Sequence, residues 1–139
     1  MRILRGLTVN GMGTVVGELV AIKTPISFLG DVDGIRGVAK VGNSEVNIAG
    51  KVLAIPYSTG STVGPYIMYQ LSKYGKAPLV ILSTKPDTLM LIGAVMANIP
   101  LMVNLPEEIL NYGGCQVEVR LNESTVLIPD QCEASHATA

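Results

Sequence analysis

Residues 51–75 read KVLAIPYSTGSTVGPYIMYQLSKYG, and the reading of this stretch decides the fold. Val52, Leu53, Ala54 and Ile55 form a continuous apolar run, the pattern of a strand buried on both faces inside a parallel sheet. A glycine-rich turn follows. Residues 65–74 then read as a helix, with Pro65 suited to the first helical position and Gly75 to the C-terminal cap. The same unit recurs downstream. Residues 79–82 give a second apolar strand, and residues 86–97 a second helix with proline at its start and Asp87 in its first turn. Residues 101–103 give a third strand, and residues 106–112 a short third helix closed by Gly113 and Gly114. Strand and helix in alternation predict right-handed crossovers and a parallel sheet.

Outside this middle the sequence is β-rich. Residues 15–22 form a β-prone segment, followed by a loop over 24–37 that holds Pro25, Gly30, Gly34 and Gly37. Residues 38–41 and 45–48 flank a Gly42-Asn43 turn, a hairpin signal. Toward the C-terminus Val117, Val119 and Leu121 alternate with polar residues, and 126–128 is again apolar. A β-rich layer, a central sheet and a layer of helices accommodate this order. The expectation is one α/β domain over 1–139, without repeat or linker, whose tail from about residue 130 is disordered.

Composition narrows the function. Apolar residues make up 48% of the 139 and charged ones 15%, against roughly 25% charged in an average domain. That excludes a disordered chain and leaves room for an uncharged interface patch. The net charge is −1, with ten basic and eleven acidic residues interspersed, so the basic cluster that nucleic-acid binding requires is missing. With Phe28 the one aromatic besides tyrosine, a base-stacking platform is also excluded. Cys115 and Cys132 belong to no C-x-x-C pair, and His136, the lone histidine, lies in the polar tail. A metal or cluster held by this chain alone, and a histidine-dependent triad, are therefore not expected. Residues 1–13 lack the apolar stretch of a secretory signal. The run 89–103, broken by Asn98 and Pro100, is shorter than the roughly 20 residues that span a bilayer. A soluble, cytoplasmic protein is the expectation. Met90, Met96 and Met102 read as core filling. Glu107 and Glu108 favour the positive end of the third helix and need no catalytic role.

Chemistry is expected where the first parallel strand ends, because ligands of open α/β sheets gather outside the carboxyl ends of their strands. The loop Tyr57-Ser58-Thr59-Gly60-Ser61-Thr62-Val63-Gly64 lies there, with two glycines and the four hydroxyls of Ser58, Thr59, Ser61 and Thr62. Three readings stand side by side: helix capping by Ser and Thr, a cradle for phosphate or carboxylate made of N–H groups, and a serine acting as base or nucleophile. A P-loop is excluded, because the Gly-Lys-Ser/Thr ending is absent. No group in the loop could activate a serine, so a partner must.

Several blocks in order resemble the small subunit of the aconitase X family, a swivelling-domain protein that pairs with a larger iron–sulfur subunit. They are Gly17-Glu18-Leu19-Val20, Pro25-Ile26-Ser27-Phe28-Leu29-Gly30-Asp31-Val32-Asp33, Ala49-Gly50-Lys51-Val52-Leu53-Ala54-Ile55-Pro56, Gly60-Ser61-Thr62 and Gly75-Lys76-Ala77-Pro78. The resemblance continues into the helix at 86–97. It covers most of the chain, about residues 4 to 119. It implies a three-layer β/β/α swivelling domain and a hydro-lyase subunit, inactive without its large subunit. The implied reaction is dehydration of a 3-hydroxy acid, with Ser61 in the place of the proton-abstracting serine. The same resemblance implies that Gly60, Thr62, Val63 and Gly64 line the substrate. It also implies that a [4Fe-4S] cluster in the large subunit takes the leaving hydroxyl as a Lewis acid. The favoured substrate is mevalonate 5-phosphate, dehydrated to anhydromevalonate phosphate in archaeal isoprenoid synthesis. A cis-3-hydroxyproline dehydratase subunit and a non-catalytic anion-binding module are the alternatives. Two positions depart from the family pattern: Thr59 stands where a basic residue is common, and Pro65 where a second serine is common. The substrate anion then falls to the amides of 60–64, to Arg36 or Lys51, or to the partner. Nothing in the sequence separates a monomer from a homodimer formed through the surface meant for that partner.

Overall fold

A computed structural model describes residues 1–59 and 62–134. Eleven strands and three α-helices are arranged as the strand–helix alternation requires. The strands are β1 (Arg2–Arg5), β2 (Leu7–Asn10), β3 (Thr14–Ala21), β4 (Val32–Asp33), β5 (Val38–Val41), β6 (Ser44–Asn47), β7 (Val52–Ile55), β8 (Val80–Ser83), β9 (Leu101–Val103), β10 (Gln116–Arg120) and β11 (Thr125–Ile128). The helices are α1 (Phe28–Asp31), α2 (Gly64–Lys73) and α3 (Thr88–Ala97).

Eight strands form one sheet in the order β1-β11-β10-β3-β7-β8-β9-β2. The inner run β3-β7-β8-β9 is parallel, with Leu19 opposite Val52, Val52 opposite Val80, and Ile81 opposite Leu101. The flanks are antiparallel: β10 on β3, β11 on β10, β1 on β11, and β2 on β9. The two edge strands, β1 and β2, are neighbours in sequence, separated by Gly6 alone. The sheet is therefore rolled until its edges meet at that residue. A Cβ on Gly6 would lie 2.7 Å from the carbonyl oxygen of Val103, so the seam needs glycine for its close approach. Ser124 fastens the seam, accepting the Gly6 amide on its carbonyl at 3.0 Å and the Thr8 amide on its hydroxyl at 3.0 Å.

Alternation along the parallel strands divides the core in two. Val52, Ala54, Val80, Leu82 and Met102 face inward with Leu4, Leu19, Val117, Val119, Val126 and Ile128, filling the rolled sheet. Leu53, Ile55, Ile81, Leu101 and Val103 face the other way, onto Met68 and Leu71 of α2 and onto Met90, Ala94 and Ala97 of α3. Antiparallel strands, parallel strands and helices thus make three layers, the β/β/α arrangement expected from the sequence. The helices cross closely at Gly93, where a Cβ would lie 3.0 Å from the Cα of Pro65 and would run into Met68.

Small differences from the sequence reading have local causes. α3 begins two residues past Pro86, because the Asp87 side chain caps it by accepting the Leu89 amide at 3.0 Å. Asn98, left-handed at φ 56°, ends it. α2 starts at Gly64 and closes on Gly75, whose φ is 68°. The expected third helix is a 3-10 turn, Glu107–Asn111. The hairpin at Gly42-Asn43 is a two-residue turn with Val41 opposite Ser44. Met90 and Met102 are core residues, but Met96 is 55% exposed on the outer face of α3. The two cysteines, read as separate thiols, are joined in a disulfide, Cys115–Cys132, with Cα atoms 5.9 Å apart. That bond holds the described part of the tail, 130–134, against the rolled sheet. His136 lies outside the described residues. Among the described residues no helix is long and apolar enough to cross a membrane.

Candidate active-site loop

The loop 57–64 leaves β7 at its carboxyl end, beside the corresponding end of β8. Pro56 stops the strand, and its carbonyl is held from the neighbouring loop by the Thr84 hydroxyl at 2.6 Å. On the other side the chain before α1 lies parallel to it. Ile26 bridges to Ser58, and the Thr59 amide donates to the Ile26 carbonyl at 2.8 Å. Gly60 and Ser61, the two expectations at the centre of the loop, lie outside the described residues. Of the other expected contacts, Thr62 and Val63 are exposed at the turn, and Gly64 is buried as the first residue of α2, 3.7 Å from the Phe28 side chain at its Cβ position.

The helix start offers few donors to an anion. Pro65 has no N–H, and the Tyr66 amide already donates to the Val63 carbonyl at 3.0 Å. Ile67 donates to the same oxygen at 3.4 Å. The recess under the loop, lined by Phe28, Ser58, Gly64, Met68, Asp87 and Met90, encloses only about 10 Å³. That is room for no more than one water. A ligand larger than a water does not fit in this recess.

The loop is anchored by a residue from the next crossover. Ser58 donates its hydroxyl hydrogen to one oxygen of the Asp87 carboxylate, while the other oxygen caps α3. Lys85, two residues upstream, carries its ammonium 4.8 Å from the centre of the Tyr57 ring. Sequence reasoning assigned Asp87 to a helix turn and passed over Lys85. The signal was present, since the rule that points to the carboxyl end of β7 points equally to the carboxyl end of β8.

The cations proposed from sequence are occupied elsewhere. Lys51 precedes β7, at the end of the strand opposite the loop, and pairs with Glu18 at 3.0 Å. The Arg36 guanidinium forms two 2.9 Å bonds to Glu45, which hold the Glu45 carboxyl below its usual range and raise Arg36 above its own. Glu108, in the turn after β9, accepts Arg2 and the Tyr112 hydroxyl.

The chain does not fit an iron–sulfur cluster of its own. Its two cysteines are bonded to each other, and among the described residues no three metal-binding side chains come together.

A rolled β/β/α domain with a hydroxyl-rich sequence at the carboxyl end of its first crossover strand has the architecture of a swivelling domain. The chain belongs to the aconitase X swivel domain family, which it matches over residues 3–128. It is 40% identical over 130 residues to the phosphomevalonate dehydratase small subunit of Thermococcus gammatolerans, covering 91% of this chain and 98% of that one. It is 41% identical over 102 residues to the protein of the same name from Methanosarcina acetivorans, covering 71% and 70%. The crystal structure of Thermococcus kodakaraensis aconitase X in its holo form matches with a TM-score of 0.86 at 34% identity, covering 94% of this chain and 100% of that one.

Proposed function

We propose that the chain is the small subunit of a dehydratase that removes water from mevalonate 5-phosphate, working with a large subunit in the cytoplasm. The observation that carries this reading is the likeness, over nearly the whole length of both chains, to relatives named phosphomevalonate dehydratase small subunit. The site is consistent with half of an active site. The recess beneath the loop holds no more than one water, and among the described residues Leu29, Val63 and Tyr66 are 50%, 43% and 58% exposed. An apolar rim of this kind favours a protein cover, and closing it would exclude water from the loop.

In this arrangement Ser61 takes the proton from the carbon next to the substrate carboxylate, and Gly60, Thr62, Val63 and Gly64 line the substrate. The iron–sulfur cluster belongs to the large subunit. A serine needs help to act as a base, and the two-subunit cleft is where that help would be assembled. The test is Ser61→Ala in the assembled complex, assayed anaerobically with mevalonate 5-phosphate and, in parallel, cis-3-hydroxyproline. Assembly should persist while turnover of mevalonate 5-phosphate collapses. Normal turnover by the variant refutes the serine base. Activity of the wild-type complex on cis-3-hydroxyproline alone refutes the substrate.

A further inference from the structure

We propose that Lys85 is the anion contact this chain brings to the ligand of the 57–64 loop, taking its phosphate or carboxylate group. This rests on the dehydratase reading, which supplies both the ligand and its place at the loop.

The loop itself carries no charge; its eight residues, YSTGSTVG, are all neutral. The start of α2 adds little, because Pro65 lacks an N–H and the Tyr66 amide is engaged. A dianionic phosphate or a carboxylate at this loop therefore needs a cation from outside it. Among the described residues Arg2, Arg36, Lys51 and Arg120 each lie within ion-pair distance of a carboxylate; Arg5, Lys23, Lys40, Lys73, Lys76 and Lys85 do not, and of these six Lys85 lies against a residue of the loop. Its neighbour is instead the ring of Tyr57, the first residue of the loop. A ring attracts an ammonium without neutralising it, so all three N–H donors and the full charge stay available.

The backbone that carries Lys85 is built to hold it there. Ser83 is fully buried, and its hydroxyl donates to the Lys85 carbonyl at 2.8 Å and accepts the Lys85 amide at 3.3 Å. Thr84 ties the same turn to Pro56, the residue before the loop, through both its hydroxyl and its amide. A lysine on a clamped turn loses less freedom on meeting an anion than one on a loose loop. Lys23, just past β3, has no such hold among the described residues.

Calorimetry on the two-subunit complex tests this without relying on turnover, using mevalonate 5-phosphate, mevalonate and inorganic phosphate as probes. Lys85→Met should weaken mevalonate 5-phosphate by about ten- to hundredfold, the size of one charge-assisted contact. Lys85→Arg should restore most of the affinity, with assembly and Tm unchanged in both variants. Loss of inorganic phosphate with mevalonate unaffected assigns Lys85 to the phosphate. Equal weakening of mevalonate and its phosphate assigns it to the carboxylate. A Lys85→Met complex that binds all three probes as the wild type does overturns the proposal, as does a wild type that binds none. A wild type that binds inorganic phosphate but does not dehydrate mevalonate 5-phosphate overturns the dehydratase reading. Lys85 is then judged on the phosphate affinities alone.

Discussion

Ser58 and Asp87, 29 residues apart in sequence, are joined by a hydrogen bond from the serine hydroxyl to a carboxylate that also caps α3. One side chain thus fixes both the entry to the 57–64 loop and the first turn of a helix. Its two duties can be separated by mutation. Ser58→Ala removes the loop anchor and leaves the cap, so Tm should move little while turnover of the complex falls about tenfold or more through misplacement of the loop. Asp87→Ala removes both and should also cost about 1 kcal/mol of stability. Urea denaturation and steady-state kinetics on the two variants check the split. Equal stability losses would contradict it.

The crossing of α2 and α3 has no spare room. Gly93→Ala would place a methyl carbon 3.0 Å from the Cα of Pro65, backbone that cannot swing away as a methionine side chain can. The expected outcome is a destabilisation of about 1–3 kcal/mol from overpacking, against the small gain alanine brings to an unhindered helix. Thermal unfolding decides the sign.

The cluster of Arg2, Glu108 and Tyr112 gives stability a pH dependence. Bonds from Arg2, and then from Tyr112, hold the Glu108 carboxyl below its ordinary range. A depressed carboxyl stabilises the fold above its unfolded pKa, and that contribution disappears as the pH falls through the folded value. Tyr112 runs the other way. Its bond to Glu108, followed by burial, raises it. Its contribution is therefore complete below about pH 10 and is lost as the pH rises through the raised value. Glu108 is partly exposed, so the pair is worth about 1 kcal/mol or less at neutral pH. The gap in urea midpoint between wild type and Glu108→Gln should close as the pH drops below about 4.

The disulfide Cys115–Cys132 joins residues 17 apart, and opening a loop of that size is worth about 3 kcal/mol. Reduction, or Cys132→Ser, should therefore lower Tm by roughly 10 °C. Thiol titration in denaturant should find no free thiol before reduction and both afterwards. Such bonds are rare in reducing compartments, so the same titration on protein trapped directly from cells reports whether the bond forms where the subunit works.

The layered architecture was legible because β7, β8 and β9 are short apolar runs, each followed by a proline-marked helix or turn. Val52–Ile55 and Leu101–Val103 announce themselves by composition. The short N-terminal strands did not. Arg2–Arg5 and Leu7–Asn10 are four residues each and mostly exposed or half-buried, and their place is set by partners about a hundred residues away. The cysteine pairing escaped for a similar reason, since whether Cys115 and Cys132 come within bonding distance depends on where the tail crosses the sheet. In the site, the glycine and hydroxyl pattern marked the loop, because local backbone chemistry is written locally. Lys85 and Asp87 belong to the next crossover, and only the parallel pairing of β7 with β8 brings them alongside.

The seam at Gly6 also dictates an order of assembly. β1 pairs with β11, more than a hundred residues further along, so it has no partner until β11 has been made. β2 must wait for β9. During synthesis the crossover units from β7 through β9 can pack their helices while the first ten residues remain unmatched. Pairings this distant are slow to form. Closure of the roll is then the late step, and a bulky N-terminal fusion would delay folding more than it would disturb the finished protein.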